Sequence, residues 1–328
     1  MIIVTGGAGF IGANLVAGLE DHGIKDIVVC DWLGTDDKWR NISKRELRDI
    51  IRPEVLLDYL DAFQDEIEAI FHMGAISATT EKDADLIVER NFNLTLDLWE
   101  WCAEHDVRLI YASSAATYGD GAQGFDDDAS IEGLKTLRPL NAYGWSKHVF
   151  DRRVARILEQ GNAAPKQWAG LKFFNVYGPN EYHKGEQMSV ICKLYPQVMA
   201  GASARLFKSH NPDYEDGGQL RDFVYVEDCV SVMLWLYDNP DVSGLFNVGT
   251  GKARSFKDLA LATFEAAGKE PKINYIDMPV ELRGKYQYFT EANMQKLRDA
   301  GYDKPFTELE EGVRKYVQDF MQTEDPYR

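Results

Sequence analysis

The chain has 328 residues, of which 45% are hydrophobic, and its 36 basic and 53 acidic side chains give a formal net charge of −17. A chain of this size can bury a substantial core as one large domain or two closely joined ones. The acidic balance argues against nucleic acid and anionic membranes as partners, because both select basic surfaces.

The cysteines and the first residues of the sequence bear on the cellular compartment of the protein and on metal binding. Cys30, Cys102, Cys192 and Cys229 are far apart and form no CxxC pair, which argues against a disulfide framework or a metal site. The opening "MIIVTGG" lacks the basic and apolar segments of a targeting signal. The sequence also lacks the roughly 18 uninterrupted apolar residues of a membrane span. We therefore expect a cytoplasmic protein without a bound metal.

Short apolar runs alternate with helical patterns through the first half of the chain. Buried strands are predicted at Ile2–Val4, Ile27–Cys30, Ala69–His72, Leu109–Ser113 and Leu171–Val176. Helices are predicted at about 10–22, 54–62, 84–105 and 142–160. This alternation predicts an α/β fold, in which a doubly wound parallel sheet carries helices on both faces.

The pattern becomes less regular after residue 176, where glycine, proline and aromatic residues are more frequent. Helical and strand-like segments still alternate there, around a long polar loop at 209–220. No linker of flexible composition separates the two halves. We expect the second, smaller region to interleave with the first and to lean over its ligand-binding edge.

A glycine-rich segment, "IIVTGGAGFIG", directly follows the first predicted strand and opens the first predicted helix. Gly6, Gly9 and Gly12 let the backbone approach a pyrophosphate, whose negative charge meets the amides and positive end of the helix. Glycines in this position can also serve tight helix–strand packing alone. Because the strand and helix flank them in the right order, the segment predicts a dinucleotide site.

The end of the second strand bears on the choice of dinucleotide. Asp31 lies about twenty residues beyond the glycines, where a carboxylate accepts a ribose 2′-hydroxyl and favours NAD. Lys38 and Arg40 follow it, and cations there favour the 2′-phosphate of NADP unless they belong to a solvated loop. The sequence leaves both cofactors open.

The chemical core is predicted from two segments, "YASSAATYG" at 111–119 and "YGWSK" at 143–147. Tyr143 and Lys147 are spaced i, i+4 and therefore share one helix face. A nearby ammonium and an oxidised nicotinamide both favour the phenolate, which lowers a phenol pKa that starts near 10 and suits Tyr143 to acid–base work. Ser114, at the end of the preceding strand, can hold the substrate hydroxyl against it.

With these motifs in this order, the chain resembles the extended short-chain dehydrogenase/reductase family over nearly its whole length. The resemblance includes "FHMGA" at 71–75 and "RDFVYVEDC" at 221–229. It implies a Rossmann-type NAD(P)-binding domain at 1–175, completed by about 222–250, and a nucleotide-sugar-binding region at 176–221 and 251–328. It also implies Ser114, Tyr143 and Lys147 as the catalytic triad, and one tightly bound NADP or NAD per subunit.

The residue assignments that the resemblance implies fall into two groups. Those for the cofactor are Gly6, Gly9, Phe10, Ile11, Gly12, Asp31, Trp32, Lys38, Met73, Gly74, Ala75, Asn91, Lys147 and Val176. Those for the substrate are Ser114, Asn175, Phe207, Arg221, which would hold the diphosphate through its planar fork, and Tyr286. Asn175 could instead cap a turn, and Tyr286 could simply pack.

The type of reaction follows from two further comparisons of residues. Dehydratases of this family carry an acid pair where this chain has Ala115 and Ala116, which argues against elimination of water. The segment "FFNVYGPNEYHKGEQMSV" at 173–190 resembles that of bacterial ADP-L-glycero-D-manno-heptose 6-epimerases, in which the lysine of HKG is a second acid/base group. That lysine is Lys184 here, and inversion of a secondary alcohol does require proton transfer on each face of the ketone. Otherwise it is a loop lysine that binds diphosphate or solvent.

The resemblance implies an epimerase that transiently oxidises C6″ of ADP-D-glycero-D-manno-heptose for lipopolysaccharide core synthesis, in a homo-oligomer such as a pentamer. The alternatives are a UDP-hexose 4-epimerase, a nucleotide-sugar oxidoreductase with net turnover of cofactor, and a non-catalytic binding module. Glu186 after HKG departs from the family pattern, as do the long loops at 119–140 and 209–220. These departures leave the identity of the base and sugar more open than the class of reaction.

Overall fold

The computed structural model describes residues 1–283 and 287–328, apart from the side chains of residues 281 and 282. Its strands are β1 (Ile2–Thr5), β2 (Ile27–Cys30), β3 (Asp49–Ile51), β4 (Ala69–His72), β5 (Arg108–Ser114), β6 (Trp168–Phe173), β7 (Asn175–Tyr177), β8 (Ala204–Phe207), β9 (Leu220–Tyr225), β10 (Gly244–Val248), β11 (Ala253–Ser255) and β12 (Ile273–Ile276). Its α-helices are α1 (Phe10–Asp21), α2 (Leu56–Ala62), α3 (Ala84–Ile87), α4 (Leu94–Glu104), α5 (Ile131–Thr136), α6 (Ala142–Glu159), α7 (Val190–Met199), α8 (Val226–Asp238), α9 (Phe256–Ala266), α10 (Val280–Arg283), α11 (Gln295–Asp299) and α12 (Leu309–Lys315).

Within the described ranges, seven parallel strands form the central sheet in the order β10-β6-β5-β4-β1-β2-β3. The chain runs outward from β1 to β3 and then returns to the other side of β1 through β4. The loops that follow β1 and β4 therefore diverge at the carboxyl edge of the sheet, where open α/β sheets bind their ligands. The prediction of a doubly wound parallel α/β fold is confirmed.

Both faces of the sheet are covered because alternate residues of each strand point to opposite sides. Ile2 and Val4 pack into one hydrophobic cluster with α1 and α8, whereas Ile3 joins a second cluster with Trp99 of α4 and Phe150 of α6. These side chains are at most 1% exposed. The continuous apolar character of the strands is thus the direct result of burial on two faces.

The second region is built around two small sheets, β11-β9-β7 and β12-β8. The chain leaves the first of these at Tyr225, passes directly into α8 against α1, and returns to the central sheet through β10. The segment at about 222–250, predicted to complete the first domain, therefore begins inside β9, which pairs with β7 and β11. The two regions exchange chain segments with each other.

Three elements differ from the expectation. The strand predicted at 171–176 is divided, because Phe174 turns the chain between β6 and β7 and its carbonyl accepts from the amide of Val176 at 3.0 Å. Edge strand β3 was missed because its first two residues, Asp49 and Ile50, are exposed. The helix predicted at 84–105 contains a π-helical turn, Val88–Asn93, between α3 and α4. Such turns are frequent at functional sites.

None of the helices in the described ranges combines the length and apolarity that a membrane crossing requires. The thiols of Cys30, Cys102, Cys192 and Cys229 are all buried and unbridged.

Candidate active site

A cavity of about 420 Å³ opens at the carboxyl edge of the central sheet. It is bounded by the loops after β1, β2, β4 and β5, by the first turns of α1 and α6, and by a 3-10 turn, Tyr182–Gln187. Its lining includes the predicted site residues Gly6, Gly9, Phe10, Ile11, Gly12, Asp31, Trp32, Lys38, Met73, Gly74, Ala75, Ser114, Tyr143, Lys147, Val176 and Lys184. The structure thus brings the predicted cofactor and proton-transfer groups together.

The glycine turn has the tight geometry of a phosphate cradle. Gly6 has φ +62°, and a Cβ on it would lie 2.6 Å from the backbone of Gly74. A Cβ on Gly12 would lie 2.1 Å from the carbonyl oxygen of Gly6, whereas one on Gly9 would approach that oxygen only to 3.0 Å. Gly9 is the N-cap of α1, and the first turn of α1 carries no acidic residue. The positive end of this helix therefore faces the cavity without a competing charge of its own.

Asp31 and Lys38 form the ribose end of the cavity. The Asp31 carboxylate accepts from the amides of Ala8 and Trp32 at 3.0 and 2.8 Å and from the ammonium of Lys38 at 2.6 Å. A carboxylate and an ammonium are thus presented together, which accommodates either a ribose hydroxyl or a 2′-phosphate. Arg40, considered with Lys38, instead stacks on Tyr327 at 4.7 Å and lies outside the described residues that line the cavity.

Arg90 was missed by sequence reasoning. It lines the cavity and lies over the ring of Trp32 at 4.4 Å. The indole N–H of Trp32 donates to Glu54 at 2.9 Å, which holds the ring in place. Arg90 lies in the π-helical turn, whose irregular register a periodic helical pattern does not reveal.

A buried hydrogen-bond relay supports the segment that follows β4. Thr95 donates to the carbonyl oxygen of Asn91 at 2.7 Å and accepts from Nε2 of His72 at 2.9 Å, which leaves Nδ1 of His72 to accept from Thr5 at 2.7 Å. Burial lowers the pKa of His72 to about 3, with a further contribution from the charge of Lys147. His72 is therefore a neutral imidazole with its proton on Nε2.

Asn91 lies outside the described residues that line the cavity, and its predicted cofactor role stays a prediction. It is fully buried, and its side chain bonds to the amide and carbonyl of Ile76 at 2.8 and 3.0 Å and to Ser146 at 3.1 Å. Ser146 in turn donates to the carbonyl oxygen of Tyr143 at 2.7 Å. The structure gives Asn91 a bracing position between the loop after β4 and helix α6.

Tyr143 and Lys147 lie in the first two turns of α6, whose N-cap, Asn141, accepts from the amide of Gly144 at 2.8 Å. Burial raises the pKa of Tyr143 above its usual value, and hydrogen bonding to Ser114 lowers it in part. Burial also lowers the pKa of Lys147 to about 8, against the opposing charge of Asp151. The chain's own groups therefore hold Tyr143 as a neutral phenol. In the protein alone, burial outweighs the hydrogen bond with Ser114, and the lowered pKa expected with the oxidised nicotinamide stays a prediction.

Lys184 lies in the 3-10 turn and reaches into the same cavity. Its ammonium lies 4.9 Å from the centre of the Phe10 ring, and its side chain is half-buried. Burial lowers the pKa of Lys184, with Glu181 opposing the shift. Glu186, the departure from the family pattern, is fully exposed and pairs with Lys193 at 3.0 Å. Its charge is thus directed away from an anionic ligand.

His183, next to Lys184, also lines the cavity and ties this turn to the glycine turn. The side-chain nitrogen of Asn41 donates to the carbonyl oxygen of Ala8 at 2.8 Å and to Nδ1 of His183 at 3.1 Å. Burial lowers the pKa of His183 to about 4. The imidazole is therefore neutral, and its proton is on Nε2.

The remaining predicted substrate contacts are not gathered around this cavity. Asn175 is exposed, Phe207 ends β8, and Arg221 is buried with its guanidinium donating to the carbonyls of Leu220, at 2.8 Å, and Gln287. All three lie outside the described residues that line the cavity, and Tyr286 lies outside the described residues altogether. Their substrate roles stay predictions.

Comparisons with known proteins bear on the whole chain. The model of the NAD dependent epimerase/dehydratase family matches residues 2–249. The chain is 54% identical over 329 residues to an ADP-L-glycero-D-manno-heptose-6-epimerase of Nitratidesulfovibrio vulgaris strain DP4, with 100% of each covered.

Two solved structures share this fold. An ADP-L-glycero-D-manno-heptose-6-epimerase of Helicobacter pylori superposes with a TM-score of 0.79 at 28% identity, over 98% of this chain and 96% of that one. A UDP-glucose 4-epimerase of Thermus thermophilus in complex with NAD gives a TM-score of 0.75 at 27% identity, over 98% and 99%. The cradle at the glycine turn, the Asp31–Lys38 pair and buried Lys147 fit a dinucleotide of that kind.

Proposed function

We propose that this chain, which belongs to the NAD dependent epimerase/dehydratase family, is a nucleotide-sugar epimerase that inverts C6″ of ADP-D-glycero-β-D-manno-heptose. The full-length identity of 54% to a heptose epimerase supports this substrate. NADP or NAD is its tightly held cofactor, and its product feeds lipopolysaccharide core assembly. A homo-oligomeric, cytoplasmic enzyme is part of the same proposal.

The observation that carries the proposal is that Tyr143 and Lys184 line one cavity from different elements. Tyr143 is on α6, and Lys184 is on the 3-10 turn that follows β7. The side chains of Tyr143 and Lys184 are both half-buried, and burial raises the pKa of the phenol and lowers that of the ammonium. Two groups capable of proton transfer thus share one site.

Inversion at a secondary alcohol needs a proton acceptor and a proton donor on each face of the intermediate ketone. When bound, the dinucleotide supplies reversible redox chemistry at the sugar carbon. Tyr143, ionised when Lys147 and the oxidised dinucleotide stabilise its phenolate, would take the hydroxyl proton from one epimer, and the ammonium of Lys184 would deliver a proton to the same oxygen after the sugar has turned. The two residues exchange roles in the reverse direction, while Ser114 holds the oxygen by a hydrogen bond.

Lys147 and the residues after Ser114 bear on cofactor binding and on the type of reaction. Lys147 is 3% exposed and lies one helical turn beyond Tyr143, so that it can hold the cofactor ribose and stabilise the phenolate when it forms. Ala115 and Ala116 occupy the turn after Ser114 and carry no proton-transfer group. The site can therefore return the same sugar with one centre inverted, and elimination of water lacks its acid and base.

The test is incubation of the purified protein with ADP-D-glycero-β-D-manno-heptose, with the side-chain stereochemistry followed by NMR. UDP-glucose is the parallel substrate. We expect a mixture of the two C6″ epimers, with the cofactor absorbance unchanged at the end.

Three outcomes would contradict this proposal in different ways. Inversion only of UDP-glucose at C4 indicates a UDP-hexose 4-epimerase. Stoichiometric consumption of added reduced dinucleotide indicates a nucleotide-sugar oxidoreductase. Retained cofactor without turnover of any nucleotide sugar indicates a binding module.

A further inference from the structure

A buried pair of opposite charges, Asp151 and Lys172, lies behind the proposed reaction centre. The carboxylate oxygen and the ammonium nitrogen are 3.0 Å apart, and neither side chain is exposed to solvent. Asp151 is on α6, four residues after Lys147 and eight after Tyr143, so that the three share a face of the helix. The proton transfers proposed above use neither member of the pair.

The contacts of the pair join every element that carries the triad. Asp151 accepts from the hydroxyls of Ser113 at 2.8 Å and Tyr111 at 3.3 Å, both on β5. Lys172, on β6, donates to the hydroxyl of Thr117 at 2.6 Å. That hydroxyl donates to the carbonyl oxygen of Ser114 at 2.8 Å. The pair therefore connects α6, the end of β5, the turn after Ser114 and β6.

We propose that Asp151 and Lys172 are positioning residues of the reaction, forming a clasp that holds Ser114 against Tyr143 and keeps the buried Lys147 charged. This inference rests on the function proposed above for Tyr143 and Lys147. Neither Asp151 nor Lys172 is among the described residues that line the cavity.

A buried ion pair is poorly explained by stability alone. Removing two charges from water costs several kcal/mol for each ion, and apolar replacements of similar volume are often neutral or stabilising. Its value must then lie in geometry or in its field. The charge of Asp151 also acts on the triad, because it raises the pKa of Lys147 against the lowering caused by burial.

The other ionisable groups around Lys147 do not replace Asp151. Both neighbouring histidines are neutral and contribute no charge. Burial lowers the pKa of His72, on β4, to about 3 and that of His148, on α6, to about 4. Arg152 on α6 and Lys172 on β6 are both cations. Among the described residues, Asp151 is the carboxylate whose charge favours protonated Lys147.

Two further groups act on the far side of the clasp. Asp127, after the loop that follows β5, and Lys296, on α11, lie near Lys172 and carry opposite charges. Neither contributes to the pKa shift of Lys147, for which Asp151 is the charged group that opposes burial.

The experiment compares the parent protein with the double variant Asp151→Asn/Lys172→Met, which removes both charges while preserving shape. Affinity for the reduced dinucleotide, read by its fluorescence, is measured from pH 6 to 10 together with the melting temperature, kcat and KM. We expect a melting temperature within a few degrees of the parent. The fall in affinity at alkaline pH should begin about one pH unit lower, since Lys147 then loses its proton earlier. We expect kcat to fall about 100-fold, the effect of a misplacement near 1 Å, with KM unchanged.

A matched pair provides the control. Arg45 and Glu20 form a largely buried ion pair at 2.7 Å that lies outside the cavity lining. The variant Glu20→Gln/Arg45→Met should keep the parental affinity curve and kcat. A double variant of the clasp that also keeps the parental curve and kcat overturns the proposal.

Asp151→Glu keeps the inference testable if the double variant does not fold. It retains the charge but displaces the carboxylate, so the alkaline limb should stay parental while kcat falls. Parental kcat in this variant overturns the positioning role. The affinity curve needs no sugar, and therefore a parent protein that binds dinucleotide without turning over the heptose contradicts the proposed function and leaves the charge role of the clasp measurable.

Discussion

The ammonium group of Lys184 lies 4.9 Å from the centre of the aromatic ring of Phe10, the residue that begins α1. A cation over an aromatic face is attracted by the negative charge of that face. The contact places the second proposed acid/base group directly beside the glycine turn. The protein thus holds Lys184 inside the cavity by its own contacts.

Replacement of this lysine should separate epimerisation from binding. Lys184→Met keeps the apolar stem on Phe10 but removes the proton carrier, so that kcat should fall by about 10²–10⁴-fold. Dinucleotide affinity should stay within a few-fold of the parent, as measured by fluorescence titration. The control is Lys193→Met, which removes a half-buried cation from neighbouring α7 and should leave kcat unchanged. Equal activities of the two variants would exclude Lys184 from proton transfer.

Tyr143→Phe tests the other proton carrier. The ring remains packed in α6, but the hydroxyl is lost, and we expect epimerase activity to fall by about 10²–10⁴-fold while the cofactor is still retained. Tyr59→Phe is the matched control, since this tyrosine packs on Phe63, with ring centres 4.6 Å apart, outside the cavity lining. Full turnover by the Tyr143 variant rules out the assignment.

Lys147→Met should make the protein more stable and less active. Burial lowers the pKa of Lys147 from 10.5 to about 8, and therefore the unfolded state binds more protons between these values. Stability then rises with pH across that window, and below pH 8 the buried charge costs up to about 3 kcal/mol. The variant should gain up to this amount at pH 7 in urea unfolding without cofactor, and the gain should shrink toward pH 10.5. A gain that is equal at pH 7 and pH 10 contradicts the charge argument.

The glycine turn predicts opposite behaviour for two alanine variants. In Gly9→Ala the new Cβ has one close contact, a carbonyl oxygen at 3.0 Å, which a small shift can relieve. The fold should therefore persist, with a melting temperature within a few degrees of the parent. Its dinucleotide affinity should fall at least tenfold, because the methyl group lies at the helix end that receives the phosphates. Gly12→Ala would place a Cβ 2.1 Å from the Gly6 carbonyl oxygen and should destabilise the fold itself. Calorimetry with and without dinucleotide distinguishes the two.

The fold was predictable because its strands are buried on both faces and read as uninterrupted apolar runs. β3 escaped notice because an edge strand needs only one buried residue, Ile51, to pair. The division at Phe174 depends on which neighbours β7 meets, and a local pattern carries no information about those neighbours. Strand and helix periodicity therefore predicts the order of the main strands and helices, but not where one of these elements is interrupted.

The site was predictable where a residue type and a strand end coincide, as at Asp31, Ser114 and Tyr143. Lys184 was found through family resemblance together with the need for a second proton carrier. The bracing role of Asn91 and the place of Arg90 were not predictable, because both depend on a π-helical turn that shifts the helix register. The clasp of Asp151 and Lys172 joins residues whose proximity exists only after the sheet has formed.

The bridge from Asn41 to both Ala8 and His183 has a consequence for the order of events in turnover. A movement of the glycine turn that releases the dinucleotide would also displace the segment that carries Lys184, because Asn41 bonds to both. Release of the cofactor through this turn would therefore also disturb the position of Lys184. A catalyst that recovers its cofactor unchanged in each cycle has no need for that motion, and this arrangement suits one that keeps the same molecule through many rounds.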